Sequence, residues 1–67
     1  MEQKMKEKVL NLVDYLYEIG LTQDRILGVI NPLKTVVQTE QLTEWIQKNK
    51  ITDPNIMRKQ AKIISQN

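Results

Sequence analysis

The chain contains neither cysteine nor histidine. Without cysteine it has no disulfide and no thiolate metal ligand, and this fits a reducing compartment, so we expect a cytoplasmic protein. Without histidine it lacks the commonest metal ligand and the commonest general base. We therefore expect no metal site and no cofactor.

The other ingredients of catalysis are also scarce. There is one serine, Ser65, and the two glycines do not form a glycine-rich phosphate-binding loop. Glu7, Asp14 and Glu18 share the polar side of the first predicted helix, opposite its apolar side. No candidate base, nucleophile or metal ligand set meets the requirements of a catalytic site. The sequence therefore predicts a protein that is not an enzyme and has no catalytic residues.

Long apolar runs are missing as well. None approaches the ~20 residues of a membrane-spanning helix, and we expect no membrane partner. The charged residues 1–8 are not followed by a continuous apolar segment, which predicts no signal peptide. The net charge of +2 is uneven: residues 1–33 carry four cations and five acids, net −1, and residues 34–67 carry six cations and three acids, net +3.

A chain of 67 residues is expected to form one domain, spanning 1–67. A domain of this size buries only about 60% of the surface that its unfolded chain exposes, so its stability is marginal. Without disulfides or metal, regular helix packing or oligomerisation must stabilise it.

Apolar residues at helical spacing predict a first helix over residues 3–19. The apolar seam of this helix comprises Met5, Val9, Leu12, Leu16 and Ile19. Gly20 can adopt a positive φ just past the helix end, and Leu21 can then pack back on Leu16, as in a Schellman motif.

Capping residues predict three further helices. Thr22 is a suitable N-cap for the second helix, which should end near Asn31 because the residue before Pro32 avoids the α conformation. The third helix should start at Thr35, since residues 35–38 fit a capping box. Asp53 followed by proline predicts the start of the fourth helix. Between the last two helices, Asn49 can adopt the left-handed conformation that Gly20 takes after the first helix, although strict repetition places Lys50 there.

The strongest pattern is an internal repeat at an offset of 30 residues, in which Leu12–Leu16 aligns with Leu42–Ile46. It predicts an all-α fold of two tandem helical hairpins, residues 3–31 and 35–65, forming a compact four-helix domain. The residues that we expect to be buried at equivalent positions are Leu12, Leu16, Ile26, Leu42, Ile46 and Ile56.

The apolar side of the first helix is wider than one partner hairpin needs. Leu10, Val13 and Tyr17 form its excess edge and are our candidate protein interface, either in a homodimer or with another protein. The alternative is that helices two to four cover this edge. The favoured function is a non-enzymatic, self-associating macromolecular interaction module that binds another protein.

The second hairpin offers a basic face as the alternative site. Its candidate anion- or nucleic-acid-binding residues are Lys48, Lys50, Arg58, Lys59 and Lys62. They predict at most a salt-sensitive affinity for DNA or RNA. Because no base-reading set of side chains accompanies them, a solvated helix face is the preferred interpretation.

The segments Gly20–Gly28, Leu33–Thr35 and Trp45–Asn49 give the chain a family resemblance. It resembles small uncharacterised helical proteins of Gram-positive bacteria and their phages or mobile elements. The resemblance implies a bacterial or phage protein that acts by binding, and it brings no catalytic residues. Asn31-Pro32 departs from the uninterrupted second helix that the resemblance implies.

Overall fold

The computed structural model describes the backbone of residues 2–66 and the side-chain surroundings of residues 6–66. That part of the chain forms four helices and no strand: α1 (Glu2–Glu18), α2 (Gln23–Ile30), α3 (Val36–Asn49) and α4 (Pro54–Ser65). The predicted all-α, four-helix fold is confirmed. Met5, predicted to lie in the apolar seam of α1, falls outside the described side chains.

All four helices contribute to one apolar core. Its members are Leu12, Leu16, Leu21, Ile26, Val29, Leu33, Leu42, Ile46, Met57, Ala61 and Ile64. Thr39 is a polar residue buried beside them, and its hydroxyl donates to the Thr35 carbonyl at 3.0 Å. Five of the six residues predicted to be buried are in this core, and the exception is Ile56.

The two hairpins lie side by side with equivalent helices parallel. Near the start of both helices, Lys8 of α1 pairs with Glu40 of α3, with 3.1 Å between Nζ and Oε2. Farther along, Asn11 shares a cleft with Thr43 and Gln47. Residue numbers therefore increase together along α1 and α3, so these helices run in the same direction.

The second pair of helices packs in the same way. Asp24 lines a cleft with Pro54, and four residues later a Cβ added to Gly28 would lie 3.8 Å from Cδ of Arg58. Helices α1 and α3 thus form one layer, helices α2 and α4 form the other, and the core lies between the layers.

A Schellman motif ends α1, as the sequence predicts. Gly20 has φ +102°, and its N–H donates to the Tyr17 carbonyl at 3.0 Å. The Leu21 N–H donates to the Leu16 carbonyl at 3.0 Å, and Leu21 is buried against the core. Glycine is suited to this position because it adopts positive φ without a steric penalty.

Of the two alternatives for the left-handed residue after α3, the structure has Lys50, the position given by strict repetition, and not Asn49. Lys50 has φ 53° and ψ 44°, whereas Asn49 is the last residue of the helix. The Ile51 N–H donates to the Ile46 carbonyl at 3.0 Å, as Leu21 does to Leu16. The side chain of Asn49 instead donates to the Trp45 carbonyl at 2.9 Å. The turn geometry thus recurs at an offset of 30 with lysine in place of glycine.

Replacing Lys50 by glycine should stabilise the protein by about 0.5–1 kcal/mol, because a left-handed conformation costs a non-glycine residue roughly 1 kcal/mol. Lys48→Gly is the matched control inside α3 and should destabilise by about 1 kcal/mol. Urea unfolding followed by circular dichroism measures both changes. A destabilising Lys50→Gly would contradict the left-handed turn.

The fourth helix departs from the offset of 30, and this corrects the prediction for Ile56. The N-cap of α2 is Thr22 and that of α4 is Asp53, an offset of 31. Because the second turn is one residue longer, α4 is rotated by about 100° relative to a strict repeat. Met57 therefore takes the buried position equivalent to Ile26, while Ile56 is 44% exposed.

Side-chain caps begin α3 and α4 where the sequence predicts. Thr35 Oγ1 accepts from the Gln38 N–H at 3.1 Å, and the Gln38 side chain accepts from the Lys34 N–H at 2.7 Å. Asp53 accepts from the Asn55 N–H at 2.9 Å, with proline as the first helical residue.

Helix α2 ends at the predicted place but not for the predicted reason, because Asn31 has φ −53° and ψ −42° and so keeps an α conformation before Pro32. Its last residue is Ile30, and Asn31 is its C-cap. Thr22 is its N-cap, as predicted, but without a side-chain hydrogen bond to the helix.

Candidate protein-interaction surfaces

The predicted apolar edge of α1 is open to solvent. Leu10 and Tyr17 are 49% and 50% exposed, and Val13 is half-buried against the core. The flank of α1 that faces α3 carries Lys8 and Asn11. Leu10 lies two residues past Lys8, about 200° around the helix, so the edge faces away from the second hairpin.

Leu27 of α2 extends this surface and was missed by the sequence argument. Leu27 is 44% exposed. It lies two residues past Arg25, which lines the cleft between α2 and α4. The same ~200° rotation places Leu27 on the flank of α2 that faces away from α4. We call Leu10, Val13, Tyr17 and Leu27 the outer face of hairpin one.

Hairpin two has an apolar outer face as well. Ile56 is 44% and Ile63 is 55% exposed, and the two are seven residues apart on one side of α4. Ile56 lies two residues past Pro54, which borders α2. On α3, the half-buried Trp45 lies two residues past Thr43, which borders α1. We call Trp45, Ile56 and Ile63 the outer face of hairpin two.

The junction between the hairpins is more polar than either outer face. An open cleft of about 220 Å³ between α1 and α3 is lined by Lys8, Asn11, Glu40, Thr43, Glu44 and Gln47. The Lys8–Glu40 ion pair at this cleft is about half exposed, so it contributes at most ~1 kcal/mol. The junction thus depends on the core beneath it, and its exposed margin is made of polar side chains.

All five predicted cations of the basic face are exposed, but they do not converge on one point. Arg58 borders the α2–α4 cleft beside Asp24, whereas Lys59 lies about 100° farther round α4. Lys50 lies in the turn before α4, and Lys62 lies near its other end, roughly 12 Å from the helix start at 1.5 Å per residue. The cations are therefore spread along the hairpin.

Glu7, Asp14 and Glu18 are exposed, as predicted for a solvated helix face. Among the described residues, no three acidic side chains gather in a way that would hold a metal ion. None of the described helices combines the length and apolar character needed to cross a bilayer.

Comparison with protein-family models, with curated proteins and with solved structures finds no match.

Proposed function

We propose that this chain is a non-enzymatic interaction module that binds protein, including further copies of itself, through the outer face of hairpin one. One observation carries the proposal: Leu10 and Tyr17 lie half-exposed and two helical turns apart, on either side of Val13. Contiguous exposed apolar surface on a small soluble domain is typical of a protein-binding site. We place this activity in the cytoplasm, in keeping with a chain that lacks cysteine.

The chemistry of this face supports a protein partner. Tyrosine is enriched at protein interfaces because its ring buries a large apolar area while its hydroxyl retains a polar partner. The neighbouring positions on α1 that face solvent, Asp14 and Glu18, are charged. An apolar centre with a charged rim is the usual organisation of an interface.

Tyr17→Glu should abolish self-association without unfolding the protein, because a charge in a desolvated interface is costly while a charge on an exposed helix position is not. Thr52→Glu is the control: Thr52 is exposed in the turn between α3 and α4 and belongs to neither outer face. Sedimentation equilibrium at micromolar to millimolar concentration measures the mass, and circular dichroism measures helicity. Association that survives in Tyr17→Glu, or a parent protein that remains monomeric throughout, would refute the proposal.

The second candidate function is weak binding of DNA or RNA by hairpin two. Its support is the exposure of Lys48, Lys50, Arg58, Lys59 and Lys62 on the half of the chain with net charge +3. Scattered lysines supply non-specific phosphate contacts without reading sequence.

Reversing two of these charges, Arg58→Glu with Lys62→Glu, tests the second candidate. We expect the parent protein to show no sub-micromolar affinity for duplex or single-stranded nucleic acid at physiological salt. The reversal should then alter the free energy of unfolding by at most about 0.5 kcal/mol. A sub-micromolar affinity that falls steeply with salt and is lost on reversal, measured by fluorescence anisotropy, would establish the second candidate instead.

A further inference from the structure

We propose that the outer face of hairpin two docks onto the outer face of hairpin one of the next copy, so that the chain assembles head to tail. The inference rests on the proposed function and names the partner of that face. The contact would repeat, between molecules, the side-by-side stacking that already joins the two hairpins within one molecule. A contact between two different faces is heterologous, and repeating it produces an open series of subunits or a closed ring.

Helices α1 and α3 correspond to each other at an offset of 30 residues. The edge residues Leu10, Val13 and Tyr17 correspond to Glu40, Thr43 and Gln47. All three of the latter line the junction at which hairpin two contacts hairpin one. The exposed edge of α1 is therefore equivalent to the flank of α3 that contacts hairpin one within the chain.

Helices α2 and α4 correspond in the same way at their offset of 31 residues. Leu27 corresponds to Arg58, and Arg58 packs along Gly28 at the junction of the hairpins. Both helices of hairpin one thus expose the flank by which hairpin two docks. The correspondence holds in each of the two layers. It covers four positions, and the structure was needed to show that their counterparts in hairpin two lie at the junction.

The exposed flank of hairpin one carries apolar side chains where the equivalent positions of hairpin two, at the junction, carry polar ones. Leucine stands where the junction has Glu40, valine where it has Thr43, and leucine where it has Arg58. A stack of helical repeats that terminates in solvent has a polar outer surface on its last repeat. The free flank of hairpin one is apolar instead, and α4 of hairpin two exposes Ile56 and Ile63, which supports a stacking that continues into another copy.

Charge favours this head-to-tail contact over a contact between two copies of hairpin two. It brings hairpin two, net +3, against hairpin one, net −1. Within one chain, Asp24 and Asn55 line the same cleft between α2 and α4. If the same stacking recurred between two molecules, Asp24 of the next copy would lie near Ile56 and Lys59. A face-to-face contact between two copies of hairpin two would instead join two basic surfaces.

The protein has enough surface for two such contacts. A standard interface buries about 800 Å² per partner. The total accessible surface of the chain is 4814 Å², so one interface would cover about a sixth of it. Each of the two outer faces spans two helices.

Two variants that each block one face test the inference. Tyr17→Glu blocks hairpin one and leaves hairpin two free, whereas Ile63→Glu does the opposite. We expect each variant alone to sediment as a 7.9 kDa monomer and an equimolar mixture to form a dimer of twice that mass. The mixture cannot grow further, because each dimer has only blocked faces left. Leu10→Glu and Ile56→Glu, both at exposed positions, are the replacement pair if either variant loses helicity.

The other outcomes separate this inference from the proposed function. If Ile63→Glu associates as the parent does while Tyr17→Glu does not, the head-to-tail contact is refuted and binding through hairpin one stands. A mixture that remains monomeric also refutes the head-to-tail contact. If Tyr17→Glu associates as the parent does, the proposed function itself fails.

Discussion

Leu16→Ala should destabilise the protein by about 2–5 kcal/mol, the cost of removing a fully buried leucine side chain. Leu16 has no exposed surface and lies on α1 at the centre of the core. At roughly 0.05–0.15 kcal/mol per residue, a domain of this length has on the order of 3–10 kcal/mol to lose. The variant should therefore lose a large share of the stability of the domain.

Urea unfolding followed by circular dichroism measures this loss, with Leu10→Ala as the control. Leu10 is the same residue type on the same helix, but it is 49% exposed, so its truncation should cost less than about 1 kcal/mol. Equal losses at the two positions would contradict the orientation of α1.

Met57→Ala should cost about 2–5 kcal/mol, while Ile56→Ala should cost less than about 1 kcal/mol. The two residues are adjacent, yet Met57 is fully buried and Ile56 is 44% exposed. The pair tests the rotation of α4 directly, because a strict offset of 30 would bury Ile56 in place of Met57. Thermal and urea unfolding of both variants give the comparison, and a larger loss for Ile56→Ala would show that the offset of 30 continues into α4.

Local signals in the sequence predicted the ends of the helices well. Gly20 marks the end of α1 because its positive φ and the hydrogen bond from Leu21 to Leu16 follow from neighbouring residues. Lys50 carries no such local signal, and only the repeat places a left-handed residue there. The packing of Ile51 against the core holds lysine in this conformation. That packing is a tertiary effect, and no propensity rule for lysine predicts it.

The register of α4 was not predictable from the repeat. An extra residue in a turn does not affect the repeat before that turn, but it rotates the helix that follows by about 100°. Position 56 therefore matches Ile26 in the sequence but lies on a different side of the helix.

The candidate site was predicted in part. Leu10, Val13 and Tyr17 followed from the width of the apolar side of α1, a local property. Leu27 and the outer face of hairpin two depend on which flanks the hairpins use to contact each other. Parallel stacking of α1 on α3 is not encoded in the pattern of any single helix, so this part required the structure.

Amide chemical shifts compared between a dilute and a concentrated sample test the central claim most directly. We predict concentration-dependent shifts grouped on the two outer faces: at Leu10, Val13, Tyr17 and Leu27 on hairpin one, and at Ile56, Ile63 and the indole N–H of Trp45, the sole tryptophan, on hairpin two. The amide shifts of Arg58 and Lys62 should be the same in the dilute and the concentrated sample. Identical spectra at both concentrations, together with a mass of 7.9 kDa in each, would contradict the account.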